Sequence, residues 1–91
     1  MEKGEQFPQF VLQDENGETF DSKMLEGIRY VIYFYPKDNT PGCTTEALDF
    51  TAAFPQFMLR NIPVIGVSKD SVKSHRNFID KNQLKVKLLS D

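Results

Sequence analysis

A single cysteine, Cys43, holds all the thiol chemistry of this 91-residue chain. One cysteine excludes an internal disulfide, which agrees with a reducing compartment. Histidine is equally scarce, with His75 alone. One Cys and one His without matching spacing fall short of a ligand set, so neither a metal nor a cofactor is expected. An excess of basic residues is missing too: eleven Lys and Arg face thirteen Asp and Glu, for a net charge of −2. Nucleic acid is therefore not an expected partner. No apolar run is long enough to span a bilayer. The first residues, Met1-Glu2-Lys3-Gly4-Glu5, are charged and carry no apolar signal region. A cytoplasmic protein with no membrane partner is the default expectation. Repeats, linkers and low-complexity tracts are absent as well.

What is present is a packed interior. Hydrophobic residues make up 40% of the chain, eight Phe and three Tyr among them, enough for one small domain near the lower size limit for a full core. Pro8 to Leu12 and Glu18 to Asp21 flank Asp14-Glu15-Asn16-Gly17. Asn-Gly between short apolar runs predicts a hairpin. One short turn follows at Ser22 to Leu25. Tyr30 to Tyr35 is apolar throughout and reads as a strand buried on both faces, as parallel strands are. From Cys43, apolar residues recur at Ala47, Phe50, Phe54, Phe57 and Met58, which is helical spacing; Pro55 should break that helix near Ala53. Ile62 to Val67 reads as a second buried strand. Asp70 or Ser71 caps a second helix with Val72, His75, Phe78, Ile79 and Asn82 on one side, and Val86 to Leu89 is a third strand. Strands alternating with helices predict an α/β fold with a parallel sheet and right-handed crossovers. Reactive groups in such sheets sit at the carboxyl ends of strands.

Cys43 follows such an end. The strand runs into the loop Pro36-Lys37-Asp38-Asn39-Thr40-Pro41-Gly42, and Cys43 then opens the helical pattern. A thiol at a helix N-terminus feels the positive end of the macrodipole and unpaired backbone N–H groups, both of which favour the nucleophilic thiolate. On position alone two readings stand: a reactive sulfur, or a small buried core residue.

The surrounding residues separate them. Pro36, Thr40 and Cys43 form Pro-x-x-x-Thr-x-x-Cys inside Tyr33-Phe34-Tyr35-Pro36-Lys37-Asp38-Asn39-Thr40-Pro41-Gly42-Cys43-Thr44. This resembles the active-site signature of the peroxiredoxins, and more narrowly of the bacterioferritin-comigratory, PrxQ-like branch. Val67-Ser68-Lys69-Asp70-Ser71, Ser74-His75, Phe78 and Leu88-Leu89-Ser90-Asp91 resemble that branch too. The resemblance implies a thioredoxin-like three-layer fold of which residues 1–91 are the N-terminal part, truncated after the third core strand. It implies a thiol-dependent peroxidase that reduces hydrogen peroxide and organic hydroperoxides through a sulfenic acid at Cys43. Thr40 would hydrogen-bond the sulfur and the peroxide, and Pro36 would shield the sulfur and fix the loop. The N–H groups of Gly42 and Cys43 would stabilise the leaving oxygen. Glu46, one turn on, would orient an arginine; the plainer reading is a favourable charge in the first helical turn. Lys37, Asp38 and Asn39 read as solvated loop residues.

Two departures from the family pattern follow. Leu48 stands five residues after Cys43, where many members of the branch carry a resolving cysteine. The chain is then of one-Cys type and relies on an external thiol: thioredoxin, glutaredoxin or glutathione. The family arginine lies beyond Asp91, and Arg29, Arg60 and Arg76 match no family position for it. The alternative is therefore a catalytically impaired thioredoxin-like module that serves association or slow thiol sensing. Self-association through an exposed sheet edge is expected in either case. His75 invites a Cys-His reading, but a structural role is the favoured one.

Overall fold

The computed structural model describes residues 9–91. Pro8, where the first hairpin arm is expected to begin, lies outside them. The first hairpin pairs β1 (Val11–Asp14) with β2 (Thr19–Asp21) in the register Leu12↔Phe20. Its turn is built by the predicted residues. The Asp14 carboxylate accepts the backbone N–H groups of Asn16 and Glu18 at 2.8 and 3.0 Å, and Gly17 takes φ of 77°, which glycine adopts without strain. A single 3-10 turn, Ser22–Leu25, follows, with Asp21 accepting the N–H of Lys23.

Strand β3 (Val31–Phe34), helix α1 (Pro41–Ala52), helix α2 (Phe54–Leu59), strand β4 (Val64–Ser68), helix α3 (Val72–Asn82) and strand β5 (Lys87–Ser90) complete the chain. The helical break falls at Ala53, one residue before Phe54-Pro55, because a proline cannot donate to the preceding turn. Ser71, not Asp70, caps α3: its side chain accepts the N–H of Ser74.

The sheet order is β2-β1-β5-β4-β3. β3, β4 and β5 are parallel, and β1 joins β5 antiparallel. Helices α1 and α3 cover one face. Tyr35, Ala47, Val64, Phe78, Ile79 and Leu88 form its core, with Cys43 and Phe50 packed against it. The opposite face holds Phe20, Leu25, Ile65, Val67 and Leu89 beneath Phe10 and Leu12. Only β4 is buried at every position.

Two expectations need correction here. β3 is not buried on both faces: Val31, Ile32 and Tyr33 are half-buried and Phe34 is 64% exposed. The reason is topological. β3 is the last strand of the sheet and pairs with β4 alone among the described residues. The apolar stripe of the first helix is also narrower than its spacing suggests. Ala47 is buried, Phe50 and Phe57 are partly buried, and Met58 points to solvent. No described helix is long and apolar enough to cross a membrane.

Candidate active site

Three parallel strands deliver their carboxyl ends to one edge of the sheet: Phe34 of β3, Ser68 of β4 and Ser90 of β5. Pro36 and Thr40 lie there on the loop that leaves β3, Gly42 and Cys43 in the first turn of α1, and Glu46 one turn further on.

The helix starts two residues earlier than the spacing predicts. Thr40 is its N-cap and Pro41 its first residue, so Cys43 sits at the third position. Proline is pre-organised for that first position and has no N–H to leave unpaired. Thr40 makes no side-chain cap hydrogen bond. Its Oγ1 instead donates to the Lys37 carbonyl at 3.1 Å, while its own carbonyl accepts the Thr44 N–H at 2.9 Å. The first-turn N–H groups of Gly42 and Cys43 thus have neither an intrahelical acceptor nor a side-chain cap. Cys43 is a free thiol, half-buried. Space around Gly42 is open: a Cβ there would meet nothing within 4 Å. Pro36, Gly42 and Glu46 are exposed. Gly42 and Glu46 line a groove along α1 with Asp49 and Phe50, whereas Pro36 lines a separate one with Tyr35 and Ser68. Among the described residues no hydrogen bond or ion pair joins an arginine to Cys43. Arg76 pairs with Asp80 at 2.7 Å and donates to Asn16, and Arg29 and Arg60 are exposed.

Asp38 overturns its assignment as a solvated loop residue. It is 4% exposed and is the hub of the edge. Tyr35 Oη donates to its Oδ1 at 2.6 Å, and Ser74 Oγ donates to its Oδ2 at 2.8 Å. His75 Nδ1 lies 2.8 Å from the same Oδ2. The Asp38 backbone N–H donates to Asp70 Oδ2 at 2.8 Å, and Ser68 Oγ donates to that oxygen as well. Burial by itself would raise the Asp38 carboxyl. The hydrogen bonds from His75, Tyr35 and Ser74 outweigh it and hold the group below the usual carboxylate range. Burial pushes the Tyr35 phenol up, and its hydrogen bond to Asp38 pushes the same way.

His75 is fully buried, as its structural reading expects. Nδ1 faces the Asp38 carboxylate, and Nε2 lies 3.0 Å from the Leu89 carbonyl. Both nitrogens are committed, so a Cys-His pair is not formed. Ligand atoms of Asp38, Asp70 and His75 lie within 4.8 Å of one another, close enough to hold an ion. Each is already engaged in the hydrogen bonds just described. The link from Asp38 to Asp70, Ser74 and His75 escaped the sequence reading because these partners lie 32 to 37 residues away.

Tyr33 underlies the site. Its ring stacks on Phe50 with centroids 4.9 Å apart and passes over Gly66 of β4. Its hydroxyl is buried without a hydrogen-bond partner. Burial raises the phenol strongly, with smaller contributions from Glu46, Cys43 and Asp38; Tyr33 and Cys43 both pack against the core on this face.

Comparison with known proteins converges on one family. The profile described as the AhpC/TSA family matches residues 3–91. Peroxiredoxin Bcp of Bacillus subtilis strain 168 is 43% identical over 91 residues, which is 100% of this chain and 58% of that protein. Bacterioferritin comigratory protein of Xanthomonas campestris, a solved structure, superposes with a TM-score of 0.86 at 46% identity, covering 90% of this chain and 52% of that one. Peroxidoxin BcpB of Mycobacterium tuberculosis superposes with a TM-score of 0.91 at 31% identity, covering 100% and 60%. The fold is thus the thioredoxin-like fold of the peroxiredoxins. The chain spans 58–60% of the length of the bacterial relatives it matches end to end.

Proposed function

The chain belongs to the AhpC/TSA family, in the Bcp and PrxQ branch of the peroxiredoxins, and we propose on that footing that it reduces peroxides at Cys43. The observation that carries the reading is local. The one free thiol sits in the first turn of α1, half-exposed, beside two backbone N–H groups without acceptors. The Cys43 thiolate attacks one peroxide oxygen. An S–O bond forms as the O–O bond breaks, the sulfur is oxidised to sulfenic acid, and the leaving oxygen takes a proton to become water or an alcohol. The N–H groups of Gly42 and Cys43 face the charge that develops on that oxygen, a role worth a factor of about 10²–10³ per donor. Thr40 orients the peroxide and Pro36 restricts solvent at the loop. Because α1 starts at Pro41, exposed Glu46 is its sixth residue and lies beyond the first turn, which holds no acidic residue, so the expected first-turn charge role falls away.

Hydrogen peroxide and organic hydroperoxides are the substrate class. With Leu48 five residues beyond Cys43 and no second thiol, the sulfenic acid is resolved by an external thiol of the thioredoxin, glutaredoxin or glutathione type. That thiol attacks the sulfur, water leaves, and a mixed disulfide results. Cys43→Ser should fold as the parent does and consume no peroxide. A peroxide pulse on the parent should add one oxygen by intact mass, and excess thiol should convert it to a mixed disulfide. Peroxide consumption by Cys43→Ser at the parent rate would refute the reading.

A second reading has its own observation. The outer edge of β3 has no partner strand among the described residues, and Phe34 beside it is exposed. Such an edge templates pairing with another chain. An association module is the function this edge supports, with sedimentation at rising concentration as its test.

A further inference from the structure

His75 lies outside everything the peroxidase reading uses, yet it is fully buried and aimed at the loop that carries the reacting groups. We propose that His75 is a positioning residue: through Asp38 it clamps the Pro36–Thr40 loop and thereby sets Thr40 and the first turn of α1 in the geometry that peroxide reduction requires. The inference rests on the peroxidase reading of Cys43.

The geometry supplies the argument. Nε2 of His75 faces a backbone carbonyl, which can only accept, and Nδ1 faces the Asp38 carboxylate, held ionised by three donors. Both ring nitrogens thus lie within hydrogen-bond distance of an acceptor oxygen. His75 therefore bridges the end of β5, through Leu89, to the loop, through Asp38, with one rigid ring. The loop needs such an anchor. Asn39, next to Asp38, holds φ of 64°, a left-handed conformation that asparagine enters more readily than other non-glycine residues. Beyond it, among the described residues, Thr40 is tied by Oγ1 to the Lys37 carbonyl and by its carbonyl to Thr44. On the outer side the loop is exposed at Pro36, Lys37 and Asn39. Among the described residues Asp38 is the loop side chain anchored in the core, and α3 and the loop before it hold it from two directions: Ser74 and His75 on its carboxylate, Asp70 on its N–H.

Two amide substitutions separate this role from mere core filling. In His75→Asn the amide nitrogen stands where Nδ1 does and retains the bond to Asp38. In His75→Gln it stands where Nε2 does and retains the bond to Leu89. The 91-residue chain is oxidised with hydrogen peroxide in stopped flow and, separately, alkylated with iodoacetamide, which needs the thiol exposed but no oriented leaving oxygen. His75→Gln should oxidise roughly 10–100-fold more slowly, the scale of a small misplacement at a reacting centre. Its alkylation should match the parent. His75→Asn should recover most of the oxidation rate. Amide hydrogen exchange at Asp38 and Thr44 reads the clamp without peroxide: faster in His75→Gln, near the parent in His75→Asn. Equal oxidation rates in the two variants, or equal exchange, would overturn the proposal, as would alkylation falling in step with oxidation. If neither histidine variant folds, Ser74→Ala, which removes another donor to the same Asp38 oxygen, carries the same three measurements, and an unchanged oxidation rate there overturns the clamp. A parent whose Cys43 reacts with peroxide no faster than free cysteine refutes the peroxidase reading instead; the exchange comparison then decides the clamp alone.

Discussion

The loop between β3 and α1 has two unlike halves. Its inner anchor, Asp38, is buried and accepts from Tyr35, Ser74 and His75. Its outer half ends at Thr40, Gly42 and Cys43, where two N–H groups lack acceptors and the space over Gly42 is open. Every helix leaves its first N–H groups without intrahelical acceptors, and here, at exposed Gly42, they are open to water or to a ligand. The comparison teaches how one short segment does both jobs. On the proposed reading, rigidity comes from the buried half, and the half that carries Cys43 can stay open because its neighbour is fixed.

The hardest break of that arrangement removes the anchor. Asp38→Ala deletes the carboxylate and leaves buried His75, Tyr35 and Ser74 without their shared acceptor. Leaving buried hydrogen-bonding groups without their acceptor costs roughly 1–3 kcal/mol each. Urea unfolding at neutral pH should show a loss of that size, while the exposed carboxylate substitution Glu46→Gln should stay within about 0.5 kcal/mol.

Protonating the anchor is a milder break of the same contact. The Asp38 carboxyl is held below its usual range in the folded chain. Its contribution to stability is complete above the unfolded value, about 3.9, and is lost as pH falls through the lower folded value. Asp14 adds to the same acid limb. Burial raises that group too, but hydrogen bonds from Asn16 and Glu18 and the Lys87 ammonium at 3.1 Å prevail and lower it. Stability should therefore fall with acidification below about pH 4. Asp38→Asn should flatten that slope more than substitution of exposed Asp49 does. An acid limb unchanged by Asp38→Asn would deny Asp38 its part in it.

Legibility in the sequence followed the same division. Cys43, Thr40, Pro36 and Gly42 lie within eight positions, so a motif could capture them. The order of strands and helices was readable because hydrophobic periodicity is local, and Asn16-Gly17 and Pro55 punctuate it. Asp38 was not readable. A charged residue in a polar loop looks solvated until the chain brings α3 and the loop before α3 against it, and no local pattern announces partners at Asp70, Ser74 and His75. The start of α1 was misplaced for a different reason. Its signal is Pro41 at the first helical position, not the apolar spacing that begins after it. The burial of β3 was overestimated because sequence alone does not show that a strand will end up at the sheet's edge.

Beneath both halves lies a close contact that sharpens the comparison. A Cβ on Gly66 would stand 2.8 Å from Tyr33 Cζ and Oη and 3.0 Å from Leu88 Cδ2. Neither neighbour yields cheaply, since Leu88 is fully buried and Tyr33 is stacked on Phe50. Gly66→Ala should destabilise by about 1–3 kcal/mol, the usual cost of overpacking. Because Tyr33 and Cys43 pack against the same core cluster, a displaced ring should also change the peroxide oxidation rate. Tyr33→Phe makes the control. It removes a buried hydroxyl that has no partner, and stability should be unchanged or slightly higher.

The smallest change in stability falls on the open half, and there it should part from function. Gly42 is the second residue of α1, and a Cβ at that position meets open space. Gly42→Ala removes backbone freedom from the unfolded chain without a clash in the folded one, so it should stabilise by roughly 0.4–1 kcal/mol. The same methyl group stands beside the N–H groups proposed to receive the leaving oxygen. Peroxide oxidation of Cys43 should slow, while alkylation by iodoacetamide, which asks nothing of those donors, should hardly change. Asp38→Ala is expected to lower stability and rate together, whereas Gly42→Ala should raise one and lower the other. A Gly42→Ala variant that oxidises as fast as the parent would show that the peroxide does not approach over the first turn of α1, and the open half of the loop would then need another role.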